Sequence, residues 1–339
     1  MAKKISMQDI ADRLQISKNS VSQALSGKPG VSEETRRLVE AAAAELGYEY
    51  SPVRKQAKQS DAKRNIALIA SEFAFSLKNF FGEIYLSVEK ELSKRGFTLQ
   101  IQPISQHAIN NLQLPAFVQH HSVDGILILS HLSTEYINEI ISTGIPTVLI
   151  DHHHPHIKAD AILTNNRFGA YTAVEHLIQL GHKEIGYVGN ASFSPSYYER
   201  LEGYLLAFHQ FGIEVNPTYI LSNVKEEENE IFGAIERLPK KPTAWFCVND
   251  GFGFLVSSYL QQSGFKIPEQ VSVCNFDNGQ LSQLSTPKIT TMDIDLKLYG
   301  KKAVDRLIWR ISNKDAVCQE ILLPTTLIKR ASTGPAPTN

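Results

Sequence analysis

The chain has 339 residues, 42% of them hydrophobic, and a nearly balanced charge, with 34 lysines and arginines against 35 aspartates and glutamates. This length predicts two or three modest hydrophobic cores, and three cysteines are too few for a disulfide framework, so we expect Cys247, Cys274 and Cys318 to be reduced core residues. No apolar stretch is long enough to span a membrane and no signal-peptide pattern opens the chain, so a cytoplasmic location is expected.

Charge is distributed unevenly along the chain. Residues 1–64 carry 12 basic and 8 acidic side chains, whereas the remainder carries 22 basic and 27 acidic ones. A basic N-terminal part on an acidic body fits an electrostatic contact with nucleic acid, although a net charge of +4 is weak evidence by itself.

Three short helices are predicted within residues 1–49. Ser6 begins the first with a capping-box pattern, Ser17 caps the second, and Ser32 caps the third. Val21, Ala24 and Leu25 form the buried stripe of the second helix, and the third is predicted to turn these residues inward: Val31, Thr35, Leu38, Val39, Ala42, Ala43 and Leu46. A tight turn at 14–16 makes the first two helices a helix-turn-helix unit, sized for a DNA major groove. A small helical protein-interaction domain is the alternative.

Within this region, the segments IADRL, S-V-S-x-A-L, G-K-P-G-V-S-E-E-T-R and A-x-E-L-G-Y resemble the DNA-binding headpiece of the lac repressor/galactose repressor (LacI/GalR) family of bacterial transcriptional regulators. The resemblance implies that the second helix reads bases. The family usually has an arginine where this chain has Gln23, and glutamine matches adenine better than guanine, so the preferred half-site is expected to differ. The predicted DNA contacts are Ser6, Lys18, Asn19, Ser20, Ser22, Gln23, Arg54 and Lys55.

Residues 50–64 form a polar, basic linker by composition. In the family this region forms a hinge helix on DNA, with a leucine wedged into the minor groove. Here Val53 replaces the usual asparagine and Gln59 the usual leucine, so a DNA-ordered hinge and a solvated tether are both open. Arg54 and Lys55 are predicted to pair with phosphates.

From Asn65 onward, short apolar runs alternate with helical segments such as 79–94 and 167–180. Strands are predicted at 66–71, 97–102, 125–129 and 146–150, then at 184–189, 243–248, 271–276 and 288–292, with a late strand near 321–324. Continuous apolar strands are typical of parallel sheets covered on both faces. We therefore predict an α/β fold, in which a three-helix helix-turn-helix headpiece precedes a two-lobed, doubly wound core. The late strand is expected to return the chain to the first lobe. The expected lobes are 65–163 with about 293–322, and 164–292 with about 323–332.

Several segments of this core resemble the effector-binding core of the same family, which is similar to periplasmic sugar-binding proteins. They are VEHLIQLGHKEIGYVG, ERLEGYLLAF, PTAWFCVND, GFKIPEQVSVCNFDN and STPKITTM. The resemblance implies a repressor that binds a palindromic operator as a homodimer and responds to a sugar or sugar derivative. The alternatives are a solute-binding receptor, which would need a secretion signal, and an α/β enzyme, for which no phosphate loop or nucleophile elbow is present.

Ligands of open α/β sheets bind beyond the carboxyl ends of the strands, a rule that selects Asp151, Asn249, Asp250 and Asp277. Arg200 falls where the family places an arginine that holds effector oxygens, although it also fits a surface charge on a helix. The predicted effector contacts are Phe73, Phe81, Asp151, Ser196, Arg200, Asn249 and Asp277. Phe80, Tyr197 and Trp245 are further stacking candidates, and Trp245, in mid-strand, is expected in the core.

No cofactor or metal is expected. In the run DHHHPH at 151–156, consecutive side chains of an extended segment point to opposite sides, so few of them can converge on one ion. A histidine at the mouth of the cleft, hydrogen-bonded to the ligand, fits this run better. The acidic run Glu226–Glu228 is predicted to be a solvated face.

Overall fold

The computed structural model describes residues 5–25, 30–46, 48, 64–72, 74, 80–129 and 132–338. The chain divides into two compact units, Met1–Lys63 and Arg64–Asn339. Some of the predictions above concern residues outside this described part, namely Val53, Arg54, Lys55, Gln59 and Phe73.

The first unit contains three helices in its described part: α1 (Met7–Leu14), α2 (Lys18–Leu25) and α3 (Glu33–Glu45). The three predicted caps are confirmed, since backbone N–H groups of Asp9, Ser20 and Thr35 donate to the hydroxyls of Ser6, Ser17 and Ser32 respectively. These bonds satisfy helix-terminal donors that would otherwise lack partners. Gln15 ends α1 and begins the turn to α2, and its φ of 53° lies in the left-handed region.

A small apolar core joins the three helices. Its buried members are Ile10, Ala11, Val21, Ala24, Val39, Ala42 and Ala43. The inward placement predicted for Leu38 is wrong, because 55% of this residue is exposed. Leu38 lies about 100° around the helix from Val39, at the edge of the buried stripe.

The second unit contains two parallel-rich sheets. The strands of the first are β1 (Arg64–Ser71), β2 (Phe97–Ile104), β3 (Gly125–Leu129), β4 (Thr147–Ile150), β5 (Asp160–Thr164) and β11 (Glu320–Leu323). Those of the second are β6 (Ile185–Val188), β7 (Ile220–Leu221), β8 (Ala244–Cys247), β9 (Ser272–Phe276), β10 (Thr290–Ile294) and β12 (Thr325–Ile328).

Helices cover both faces of these sheets, as continuous apolar strands require. Those of the first lobe are α4 (Phe81–Ser93), α5 (Gln106–Asn110), α6 (Ala116–Gln119), α7 (Thr134–Ser142) and the late α13 (Leu296–Ser312). Those of the second lobe are α8 (Asn166–Gln179), α9 (Pro195–Gln210), α10 (Glu228–Glu236), α11 (Asp250–Gln262) and α12 (Gln280–Leu284), with a 3-10 turn at Pro217–Tyr219.

The strand order is β11-β5-β4-β3-β1-β2 in the first sheet, where all pairs are parallel. It is β12-β10-β9-β8-β6-β7 in the second, where only the β10–β12 pair is antiparallel. The chain changes sheet after β5, after β10 and between β11 and β12. The late strand predicted near 321–324 does return to the first sheet, where β11 pairs with β5.

Three details differ from expectation. The strands β5, β7 and β12 were not predicted, and β10 lies two residues later than the predicted 288–292. Cys247 and Cys274 are buried, but Cys318 is exposed, because it lies in the loop between α13 and β11 rather than in a strand.

Within the described ranges, no helix has both the length and the apolar character needed to cross a membrane.

Candidate functional site

A cavity of about 440 Å³ lies between the two lobes of the second unit. The first lobe contributes the start of α4, the residue after β4 and the start of α13. The second lobe contributes the loops after β6, β7, β8 and β9. The lining residues are Phe80, Phe81, Asp151, Phe193, Ser194, Ser196, Tyr197, Arg200, Glu226, Asn249, Asp250, Gly251, Asp277, Gly279, Leu281 and Leu296. A volume of this size is typical of sites for small organic ligands.

Arg200, on α9, is held rigidly at the wall of the cavity. It is 2% exposed, its Nη2 lies 2.9 Å from Asp277 Oδ1, and its guanidinium lies 3.8 Å from the centroid of the Phe276 ring. Its Nε donates to Asn166 Oδ1 at 2.9 Å and its Nη1 to the carbonyl of Val248 at 2.7 Å. The alternative of a solvated surface charge is therefore wrong, since the guanidinium is buried and fixed.

Asp151 and Asp277 occupy equivalent places at the ends of β4 and β9. Both have positive φ, 55° and 87°, which is unusual for residues other than glycine and is common where a side chain is held for function. Burial raises the pKa of Asp151 to about 7 and also raises the pKa of Asp277, with Arg200 opposing the rise at both. The Ser196 hydroxyl donates to Asp151 Oδ1 at 3.1 Å and so connects the lobes.

The start of α11 forms a third polar wall. Asn249 caps this helix by accepting from the N–H of Phe252 at 2.9 Å. Its Nδ2 donates to the hydroxyl of Tyr197 at 2.7 Å and to Glu226 Oε2 at 2.8 Å. Asp250 is held by the backbone N–H and hydroxyl of Ser282.

Aromatic rings form the apolar part of the cavity. Phe80 and Phe81 meet edge to face with their centroids 5.0 Å apart, and Phe193 and Tyr197 pack 5.4 Å apart. Aromatic faces beside converging hydrogen-bonding groups suit a sugar, which has an apolar face and a rim of hydroxyls. Trp245 is fully buried in β8 and is a core residue, as expected.

Six of the seven predicted effector contacts line this one cavity, and the seventh, Phe73, lies outside the described residues. Asp250, which the strand-end rule also selected, lines it as well. Glu226 is exposed, as predicted for the acidic run Glu226–Glu228, but its side chain also lines the cavity, a position that was not expected. No sequence signal marks it, because it lies in a loop after the two-residue strand β7.

The histidine run after β4 has a different role. His153 Nε2 lies 2.9 Å from Glu199 of the second lobe, and His153 Nδ1 lies 3.1 Å from Glu320 of the first. The hydrogen bond with Glu199, helped by Glu320 and opposed by burial, raises the pKa of His153 to about 9. His153, Glu199 and Glu320 do not line the cavity. No cluster of metal-ligating side chains occurs in the described part of the chain.

In the first unit, the predicted reading face lies on α2. Lys18 and Asn19 are exposed at its first turn, and Ser22 is half-buried. Ser20 is half-buried and its hydroxyl lies 2.8 Å from that of Ser17. The Gln23 amide lies against Gly30 at the far end of the helix. The Ser6 hydroxyl donates to Asp9 at 2.6 Å within the capping box of α1.

Arg36, on α3, holds the end of α2 in place, since its Nη1 donates to the carbonyl of Ala24 at 2.8 Å.

A helix-turn-helix unit followed by a two-lobed core with a ligand-sized cavity defines the class of DNA-binding regulators that respond to a small molecule. Comparison with known proteins gives the family.

Residues 6–51 match the model described as "Bacterial regulatory proteins, lacI family", and residues 174–333 match a periplasmic binding protein-like domain. The ribose operon repressor of Haemophilus influenzae is 30% identical over 96% of this chain and 98% of its own length. The chain belongs to the lacI family of bacterial regulatory proteins.

Two solved structures are similar across the core. A complex of the transcriptional regulator CelR with cellobiose superposes with a TM-score of 0.72 and 26% identity, covering 97% of this chain and 99% of that one. A lacI-family regulator from Enterococcus faecium with bound ribose gives a TM-score of 0.68 and 26% identity, covering 80% of this chain and 99% of that one.

Proposed function

We propose that the protein is a transcriptional repressor whose affinity for operator DNA is controlled by a small effector, a sugar or sugar derivative, bound between the lobes. The observation that carries this proposal is the presence in one chain of a helix-turn-helix unit and a cavity whose walls come from two lobes. Its relatives named as repressors, and the ribose and cellobiose bound in its structural neighbours, support the same function. Binding of DNA by the helix-turn-helix unit and of an effector in the cavity, with no catalytic step, accounts for the residues described at both sites.

The cavity supplies what a polyol needs. The carboxylates of Asp151 and Asp277 accept hydrogen bonds from hydroxyl groups, and the Arg200 guanidinium has N–H groups that donate to them. The Phe81 ring offers an apolar surface. Because the ligand touches both lobes, its binding energy favours one interlobe arrangement over others, and this difference is the basis of control.

DNA is proposed to be read by a homodimer. One helix-turn-helix unit reads few base pairs, whereas two units related by a two-fold axis read a palindromic operator. The residues proposed to reach DNA from the described part of the headpiece are Ser6, Lys18, Asn19, Ser20, Ser22 and Gln23. We also propose a cytoplasmic location, because a bacterial operator lies in that compartment.

Two measurements on the purified chain test the proposal. A selection of bound sequences from a random DNA pool should enrich a palindromic site, and a thermal-shift screen of sugars should identify ligands that raise the unfolding temperature. Enrichment of no DNA site would contradict the regulatory function. If the chain enriches a DNA site but no sugar raises its unfolding temperature, the proposed class of effector is wrong.

A further inference from the structure

The cavity between the lobes is lined by more acidic than basic side chains. Its lining includes four carboxylates, those of Asp151, Glu226, Asp250 and Asp277, and Arg200 is the basic residue among the described residues that line it. Arg200 cannot serve as a general counter-charge, because it is paired with Asp277 at 2.9 Å and packed on the Phe276 ring.

Three of the four carboxylates are already engaged by the protein. Asp277 pairs with Arg200, Asp250 accepts from the N–H and hydroxyl of Ser282, and Asp151 accepts from the hydroxyls of Ser196 at 3.1 Å and Tyr299 at 3.4 Å. Glu226 differs. Its carboxylate accepts a neutral hydrogen bond from Asn249 at 2.8 Å, and among the described residues no cation pairs with it.

Glu226 is exposed to water in the open cavity, and a ligand that fills the cavity would displace this water. The pKa of Glu226 is raised by partial desolvation and by the charges of Asp277 and Asp250, while the hydrogen bond from Asn249 opposes the rise. The N-terminal dipole of α11 favours a negative charge near Asp250, but it does not provide a cationic partner for Glu226. A neutral sugar would supply hydroxyl donors to this carboxylate but no compensating charge.

Gly251 leaves room for Glu226 at the start of α11. A Cβ added at Gly251 would overlap Glu226 Oε1, so a larger residue there would displace this side chain. The position of the carboxylate in the cavity therefore depends on this space and on the hydrogen bond from Asn249.

We propose that the effector carries a protonated amine that pairs with Glu226, so that amino sugars and other aminated polyols are its ligand class. This inference rests on the proposed ligand-binding function of the cavity. The remaining polar groups hold the hydroxyls, and the aromatic rings of Phe81 and Tyr197 contact the apolar face of the ring.

The test compares matched ligand pairs by calorimetry: glucosamine with glucose, galactosamine with galactose, and mannosamine with mannose. A pH of about 6.5, below the ordinary pKa of such amines, keeps them protonated. At least one amino sugar should bind about tenfold more tightly than its neutral partner, the ratio expected when a neutral hydrogen bond becomes a charged one.

Glu226→Gln is the informative variant, because it removes the charge while retaining an oxygen that accepts from Asn249. It should bring the two members of the pair to equal affinity. Glu227→Gln makes the same charge change one residue away, at an exposed side chain that does not line the cavity, and should keep the preference. Circular dichroism of both variants checks that the fold is intact.

The inference is overturned if no amino sugar binds more tightly than its neutral partner, whether both bind equally or neither binds. It is also overturned if Glu226→Gln retains the preference. These outcomes are distinct from failure of the proposed function, because selection of operator DNA by the same preparation is measured separately and does not depend on the charge of the ligand.

Discussion

Arg200 is fixed from four directions, by Asn166, Val248, Asp277 and the Phe276 ring. Such a side chain loses little freedom when it binds a ligand, which favours affinity and orientation. Its position could be predicted from sequence only through the family resemblance, because nothing in the helical pattern of ERLEGY distinguishes a buried arginine from a surface one.

We expect Arg200→Ala to weaken effector binding by about 1.5–3 kcal/mol, because ligand oxygens lose a charged donor. Calorimetry with a sugar identified by screening measures the loss. Arg167→Ala is the matched control, since this arginine pairs with Glu202 on an exposed helix surface and does not line the cavity. Unchanged operator affinity without ligand would show that the variant is folded, and unchanged ligand affinity would refute the assigned contact.

Gln23 provides a residue-scale test of DNA reading. Gln23→Arg replaces a donor–acceptor pair suited to adenine with a fork suited to guanine, and should shift the preference at one base pair of the half-site by about 1–3 kcal/mol. Sequences selected from a random pool at one fixed salt concentration measure this shift for both proteins. Identical preferred sites would mean that this face of α2 does not read bases.

The polar residues at strand ends show what sequence can predict. Asp151, Asn249 and Asp277 follow apolar strands directly, so the rule for open α/β sheets locates them without a structure. Glu226 could not be found this way, because its position depends on how a loop folds over the start of α11 and on a glycine 25 residues later in the chain. The acidic run Glu226–Glu228 does not by itself indicate which of its side chains lines a cavity.

At the scale of elements, the strands β5 and β12 are absent from the predicted pattern for different reasons. The strand β5 begins with Asp160, a charged residue that is fully buried because Arg306 and Arg310 pair with it at 2.7 and 2.6 Å. A charged residue normally argues against a buried strand, and the two arginines that pair with Asp160 lie far along the chain on the late helix α13. The strand β12 is a partly exposed edge strand with no continuous apolar run.

The contact of His153 with Glu199 joins the two lobes and predicts a pH dependence. Because the pKa of His153 is raised from 6.5 to about 9 in the folded chain, its protonated form stabilises the fold. That contribution is complete below pH 6.5, decreases between pH 6.5 and about 9, and is absent above that range.

The unfolding temperature of His153→Gln should therefore fall below that of the natural chain at low pH and approach it as the pH rises through about 9. Scans across this range test the prediction, with the exposed His209→Gln as control. Curves for His153→Gln and the natural chain that stay parallel throughout would mean that the ion pair between the lobes adds nothing.

At the scale of the whole molecule, the two sheets are joined by three short connections, after β5, after β10 and between β11 and β12. Connections of this kind allow hinge movement about a ligand held between lobes. The alternation of apolar strands and helices was sufficient to predict two lobes, because periodicity reports local burial. It could not give the interlobe contacts of Asp151, Ser196 or His153, which depend on tertiary packing.

The central claim is that one chain couples a ligand in this cavity to DNA binding. It is tested most directly by titrating the selected operator with the protein, with and without a saturating ligand found by screening, for the natural chain and for Arg200→Ala. We expect the ligand to change operator affinity in the natural chain by about 5- to 150-fold, the usual range of allosteric coupling, and to change it little in the variant. Equal operator affinity of the natural chain with and without bound ligand would contradict the account.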